Sequence, residues 1–125
     1  PNLRANIELG MVIPAWLTQA DLDYFAGEFK RAGFRGGLNW YRNLRRNWEL
    51  FAPWRGQPIV QPSLFIAGSR DGVLKFPASM KQIEAFPKTL PGIRGSIIVE
   101  GAGHWIQQER PAEVNQALVG FLKGL

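Results

Sequence analysis

Two hydrophobic rhythms run along the chain, and the point where one replaces the other divides it. From Leu17 to about Phe51 apolar residues recur at helical spacing. Thr18-Gln19-Ala20-Asp21 reads as a capping box, a threonine N-cap with an acid three residues on, and Leu22, Phe25, Ala26 and Phe29 then share one face. This pattern predicts a short amphipathic helix ending near Gly33. A second helix is predicted from about Leu38, with Trp40, Leu44, Trp48 and Phe51 on one stripe, Tyr41 on its flank, and Arg42, Arg45 and Arg46 available to the other face. Together they form a helical hairpin with an aromatic seam. Pro53, Gly56, Pro58 and Pro62 then break all periodicity, so 51–62 reads as a connector.

Beyond Pro62 the rhythm changes. Leu64-Phe65-Ile66-Ala67 and Ile97-Ile98-Val99 are unbroken apolar runs with β-branched content, the form expected of parallel strands covered on both faces. Between them a helical stretch runs from about Phe76 to Phe86, with Pro77 near its first turn. After the second run, Pro111 is followed by Val114, Ala117, Leu118, Phe121 and Leu122 at helical spacing. The order is strand, helix, strand, helix, and a crossover of that length makes the strands parallel and the connection right-handed. Two strands do not close a sheet, so more sheet is expected from another segment of chain.

Composition narrows the chemistry. The 125 residues are 46% hydrophobic and 12% aromatic, enough for a folded core rather than disorder. No apolar run is long enough to span a bilayer, and the first residues lack the pattern of a signal peptide, so the chain reads as soluble and without an address. There is no cysteine and one histidine, which removes disulfides, thiol catalysis and multi-histidine metal sites. Oxygen nucleophiles, carboxylates and one imidazole remain, and neither metal nor cofactor is expected. The net charge of +5 is concentrated. Lys30, Arg31, Arg35, Arg42, Arg45, Arg46 and Arg55 face a single acid, Glu49, within one segment, and the remainder is slightly acidic.

Asp71 follows the first strand in Gly68-Ser69-Arg70-Asp71-Gly72, and His104 follows the second in Gly101-Ala102-Gly103-His104-Trp105. Taken alone, an Asp-Gly pair fits a turn, and a histidine among glycines fits a hydrogen-bonded structural residue. Their joint position carries more. Adjacent parallel strands place both loops on the same carboxyl edge, where open α/β folds bind ligands. A carboxylate that accepts from one ring nitrogen leaves the other free to take a proton, the base half of a nucleophile, base and acid triad. The nucleophile itself must come from elsewhere, and in α/β-hydrolases the chain order is nucleophile, acid, histidine.

Gly33-Phe34-Arg35-Gly36-Gly37-Leu38-Asn39-Trp40-Tyr41-Arg42-Asn43, Ala67-Gly68-Ser69-Arg70-Asp71-Gly72-Val73-Leu74, Gly103-His104-Trp105-Ile106-Gln107 and Arg110-Pro111-Ala112-Glu113-Val114-Asn115 resemble the second half of the α/β-hydrolase-fold epoxide hydrolases of the soluble type. The resemblance covers nearly everything from about Leu17. It implies the C-terminal part of an α/β-hydrolase fold: rear lid helices in 1–56, and the last two parallel strands with their helices in 57–125. It implies hydrolysis of epoxides to vicinal diols through an ester on an aspartate upstream of this chain. His104 would activate water, Asp71 orient it and Tyr41 support the epoxide oxygen, while Trp40 and Trp105 line an apolar substrate pocket. On periodicity alone Tyr41 fits a packing residue, and Tyr24, which matches no site position, is left as packing. The implied partners are the N-terminal half of the same enzyme and a small apolar epoxide, with neither nucleic acid nor membrane. A cytoplasmic setting is expected of a chain that reads as soluble and without an address, and a homodimer stays open.

Two other readings remain at this point. A haloalkane or haloacetate dehalogenase or an esterase of the same fold would use Asp71 and His104 unchanged. Tyr41 separates them, since departing halides are held by indole or amide donors rather than phenols. A basic nucleic-acid-binding module would use the arginines for phosphates and the tryptophans for stacking, but the aromatics fall at core spacing.

Overall fold

The computed structural model describes residues 13–125, and the chain divides into two compact units, the first running through Pro53 and the second Trp54–Leu125. The first unit is helical. Helix α1 (Gln19–Ala32) starts as its sequence dictates: the Asp21 N–H donates to Thr18 Oγ1 at 3.2 Å, and the Thr18 N–H donates to Asp21 Oδ2 at 2.9 Å. Gly33 ends it at φ 71°, donating its N–H to the Phe29 carbonyl, and lets Phe34 stack on Phe29 with ring centroids 4.7 Å apart.

The single second helix expected from Leu38 is instead two, α2 (Arg35–Arg42) and α3 (Leu44–Leu50). The break falls at Asn43, whose side-chain amide and backbone N–H share the Asn39 carbonyl, at 2.8 Å and 3.1 Å. An unbroken aromatic stripe through Trp40, Leu44 and Trp48 therefore does not form on one helix.

The second unit holds the sheet. Strands β1 (Ser63–Gly68) and β2 (Ile93–Val99) pair in parallel, with Ile66 opposite Ile97 and Gly68 opposite Val99. Strand β2 begins four residues before its apolar run: Ile93, Gly95 and Ser96 pair with Ser63, Leu64 and Phe65, and Arg94 is the extra residue at a shift in register, so this stretch has no continuous hydrophobic signal. The crossover also comes in two pieces, α4 (Pro77–Glu84) and α5 (Phe86–Thr89), each with proline in its first turn. Pro87 lacks the N–H that would continue α4, so the helix stops and restarts. Where the connector meets the turn before β2, a Cβ on Gly92 would lie 2.3 Å from the Gln61 carbonyl oxygen, which only glycine avoids. After β2 come the short α6 (Ile106–Glu109) and α7 (Pro111–Lys123).

The core is small and sits beneath the loop that follows β2. Ala102, Ile106 and Val114 form a buried cluster against which Ile66 and Val99 pack. Elsewhere the apolar runs stay open: Ile97 and Ile98 of β2 are exposed, and an open groove between β2 and α7 is lined by Leu64, Val99, Ala117 and Phe121. Open apolar area of this extent makes a stable fold of this chain in isolation unfavourable. Expressed by itself, it should bind a hydrophobic dye such as ANS and unfold without a sharp transition. A cooperative thermal transition of a monomer with no dye binding would contradict this.

Candidate active site

Strand β1 delivers Asp71 and β2 delivers His104 from the same carboxyl edge. Asp71 stands three residues past Gly68, at the start of a 3₁₀ turn (Gly72–Lys75), and His104 stands five past Val99. The two loops are tied by backbone. The Ser69 N–H donates to the Val99 carbonyl at 3.0 Å, the Arg70 N–H to the Ala102 carbonyl at 2.8 Å, and the Gly101 N–H to Ser69 Oγ at 2.9 Å. A Cβ at Gly68 would lie 2.3 Å from the Ala102 oxygen and 2.4 Å from the Gly103 oxygen, so any other residue would push the loops apart. Gly101, at φ 74°, makes the turn that brings Ala102 back under β1.

The result is a direct contact, His104 Nδ1 to Asp71 Oδ2 at 2.9 Å. The Asp71 side chain is only 12% exposed, while that of His104 is 57% exposed, so the carboxylate forms the inner and the imidazole the outer part of the pair. The other carboxylate oxygen, Oδ1, accepts from the Val73 N–H at 2.8 Å. Burial opposes ionisation of Asp71, but the Val73 bond, then the His104 bond and its charge, outweigh burial and hold the carboxyl below its ordinary pKa. An ionised carboxylate can only accept, so Nδ1 carries the ring proton and the neutral ring keeps a basic lone pair on Nε2.

Trp105 meets His104 edge to face, with centroids 5.3 Å apart. Trp40 and Tyr41 lie on α2 of the other unit, 74% and 68% exposed. The structure thus joins Asp71, His104 and Trp105, while Tyr41 and Trp40 belong to a separate body. Tyr24 is exposed on α1, edge-on to Phe25. Sequence reasoning passed over Glu109, whose carboxylate accepts from the Gly103 N–H at 2.6 Å and the Trp105 N–H at 3.0 Å. The available signal was an acid within one short turn of the only histidine. Among the described residues no group of His, Asp or Glu is arranged to hold a metal ion, and no helix is long and apolar enough to cross a membrane.

A parallel pair with an acid and a histidine in hydrogen-bond contact at its carboxyl edge corresponds to the C-terminal part of an α/β-hydrolase fold. The chain is homologous to the epoxide hydrolases of that fold. It is 51% identical to epoxide hydrolase A of Mycobacterium tuberculosis over 90% of this chain and 34% of that protein. It is 45% identical to epoxide hydrolase 2 of Siraitia grosvenorii over 89% of this chain and 36% of that protein. Among solved structures, an epoxide hydrolase from an endophytic Streptomyces superposes with a TM-score of 0.87 at 53% identity, over 91% of this chain and 34% of that one. Potato (Solanum tuberosum) epoxide hydrolase I superposes with a TM-score of 0.83 at 37% identity, over 89% and 35%. No family model matches the chain. It spans about a third of the length of the curated relatives it matches.

The lowered pKa of Asp71 has a testable sign. The ionised carboxylate stabilises the fold in full above its unfolded-state value of about 3.9, and that contribution is lost as pH falls through the lower folded value. The experiment needs a covered sheet, which joining this chain to the N-terminal two thirds of the Streptomyces relative provides. In that hybrid, the difference in unfolding midpoint between the parent and Asp71→Asn should be largest above about pH 5 and shrink below about pH 3. A difference that stayed unchanged to the acid limit would refute an ionised, hydrogen-bonded Asp71.

Proposed function

We propose that this chain supplies the base, the orienting acid and one oxygen-binding tyrosine of an epoxide hydrolase, which converts epoxides to vicinal diols. The observation that carries the proposal is the 2.9 Å contact between Asp71 and His104, made in a chain homologous to epoxide hydrolases. In this reading residues 1–56 are the rear of a lid and 57–125 the end of the main sheet. The missing part is an N-terminal portion carrying an aspartate nucleophile. The named relatives and structures favour epoxides over halides or esters. The arginine-rich helices are a solvated lid face, with Arg31 and Arg45 already bound to Glu28 and Glu49.

The reaction has two halves. The aspartate oxygen attacks an epoxide carbon, the carbon–oxygen bond of the ring opens, and the departing oxygen takes a proton from the Tyr41 phenol. A phenol suits this step because its pKa of about 10 keeps it neutral and able to donate at pH 7. An alkyl ester remains. His104 Nε2 then takes a proton from water as the oxygen attacks the ester carbonyl, and Asp71 holds the ring and stabilises the imidazolium. Collapse of the tetrahedral intermediate releases the diol and the free carboxylate, and the His104 proton returns to the Tyr41 oxygen. Trp105, and Trp40 from the lid, would form the apolar walls around an uncharged epoxide. A cytoplasmic setting and a homodimer are both compatible with this reading.

Two substitutions in the hybrid enzyme separate the halves. With His104→Gln, alkylation should proceed and hydrolysis stop, so mass spectrometry should find the protein heavier by one epoxide. No adduct, or turnover at the parental rate, would remove the triad role. With Tyr41→Phe, single-turnover alkylation should slow by on the order of 10-fold to 1,000-fold while ester hydrolysis is largely spared. An unchanged alkylation rate would make Tyr41 a packing residue and leave the substrate class open.

A further inference from the structure

The segment that carries His104 has no regular structure of its own. It leaves β2 through Gly101, and His104 stands between Gly103 and Trp105 before α6 begins. The imidazole has Trp105 edge-on to it, and its polar contact is the bond to Asp71. Those contacts hold the ring but not the chain that carries it. Something else must fix the backbone from which it projects.

Glu109 is placed to do so. Its two carboxylate oxygens divide between the residues on either side of His104: Oε2 accepts from the Gly103 N–H at 2.6 Å, and Oε1 accepts from the Trp105 N–H at 3.0 Å. The approach is close enough to dictate the neighbour, since a Cβ at position 103 would lie 2.9 Å from Oε1 and 3.1 Å from Oε2. Glycine at 103 is therefore part of the same device. Glu109 is itself fixed, as the last residue of α6, whose Ile106 is 5% exposed in the buried cluster. Arg110 pairs with Glu113 through its guanidinium Nε rather than with this carboxylate. The recorded partners of the Glu109 carboxylate are thus two main-chain donors, an arrangement that shapes backbone rather than balances charge.

We infer that Glu109 is a positioning residue for His104, a carboxylate clamp that sets the direction of Nε2 for the water-activating half of the reaction. This rests on the epoxide hydrolase reading above and deepens it. His104 enters the chemistry only after the ester has formed, so the clamp should matter to hydrolysis and not to alkylation. A misplacement of a catalytic group by about 1 Å can cost on the order of 100-fold in rate.

The test is the split between the two half-reactions in the hybrid enzyme, measured in single turnover with styrene oxide. Glu109→Ala should leave the alkylation rate constant within about 2-fold and slow ester hydrolysis by on the order of 10-fold to 100-fold. Glu109→Gln preserves the volume but offers one acceptor and turns an N–H toward another N–H, so its hydrolysis rate should fall between those of the parent and alanine forms. It also serves where the alanine form folds poorly, because loss of folded enzyme lowers the amplitude of both phases rather than the rate constant of one. Equal slowing of both halves, or parental hydrolysis in both variants, would overturn the clamp. His104→Gln run alongside distinguishes the two levels of the argument. If it traps ester while both Glu109 variants hydrolyse at the parental rate, only the clamp fails; if no form yields an ester, the epoxide hydrolase reading fails and the clamp with it.

Discussion

Everything at this site depends on how closely two backbones can approach at the end of the sheet. Strands β1 and β2 stop pairing at Gly68 and Val99, and the chain that follows β2 folds back until the carbonyls of Ala102 and Gly103 sit where a Gly68 side chain would be. That approach permits the Arg70 N–H to bond the Ala102 carbonyl and Ser69 Oγ to accept from Gly101. Were the loops held apart by even one methyl group, Asp71 and His104 would still lie on one edge but would not meet. Parallel pairing chooses the edge, and glycine sets the distance.

Asp71 shows how a local turn and a long-range contact share one side chain. One oxygen caps the 3₁₀ turn through Val73, which orients the carboxylate, and the other oxygen is thereby directed at His104. The turn residue and the partner of His104 are one arrangement, because a carboxylate has two acceptor atoms and each is used once. Glu109 repeats the economy on the far side of the histidine, one oxygen to each flanking N–H.

How much of this was legible in the sequence follows from what each element rests on. The capping box at Thr18, the parallel strands and the final helix were readable because a side chain or an apolar period marks them. The start of β2 at Ile93 was not, since backbone pairing needs no hydrophobic residue at Gly95 or Ser96. Nor was the division at Asn43, where a side chain and a backbone N–H share one carbonyl at a single turn. The meeting of Asp71 and His104 could be argued from topology alone. Glu109 had only its nearness to the histidine to mark it, because a carboxylate that bonds main-chain groups has no partner side chain to announce it.

The site and the core differ in what sustains them. Few residues here are buried, and the sheet's apolar faces are open, so packing within the chain does little to hold the whole together. The carboxyl edge is held by hydrogen bonds among loops, each worth only about 1 kcal/mol net and each dependent on its donors and acceptors being kept in register. Such bonds specify a geometry far better than they stabilise a fold, because their strength falls steeply with angle and distance. The geometry at the carboxyl edge is therefore written locally, in Gly68, Asp71, Gly103, His104 and Glu109, while the stability that makes it persistent must come from whatever covers β2 and α7. A substitution in that covering surface would lower the amount of folded protein, whereas one in the loops would alter the direction of an imidazole.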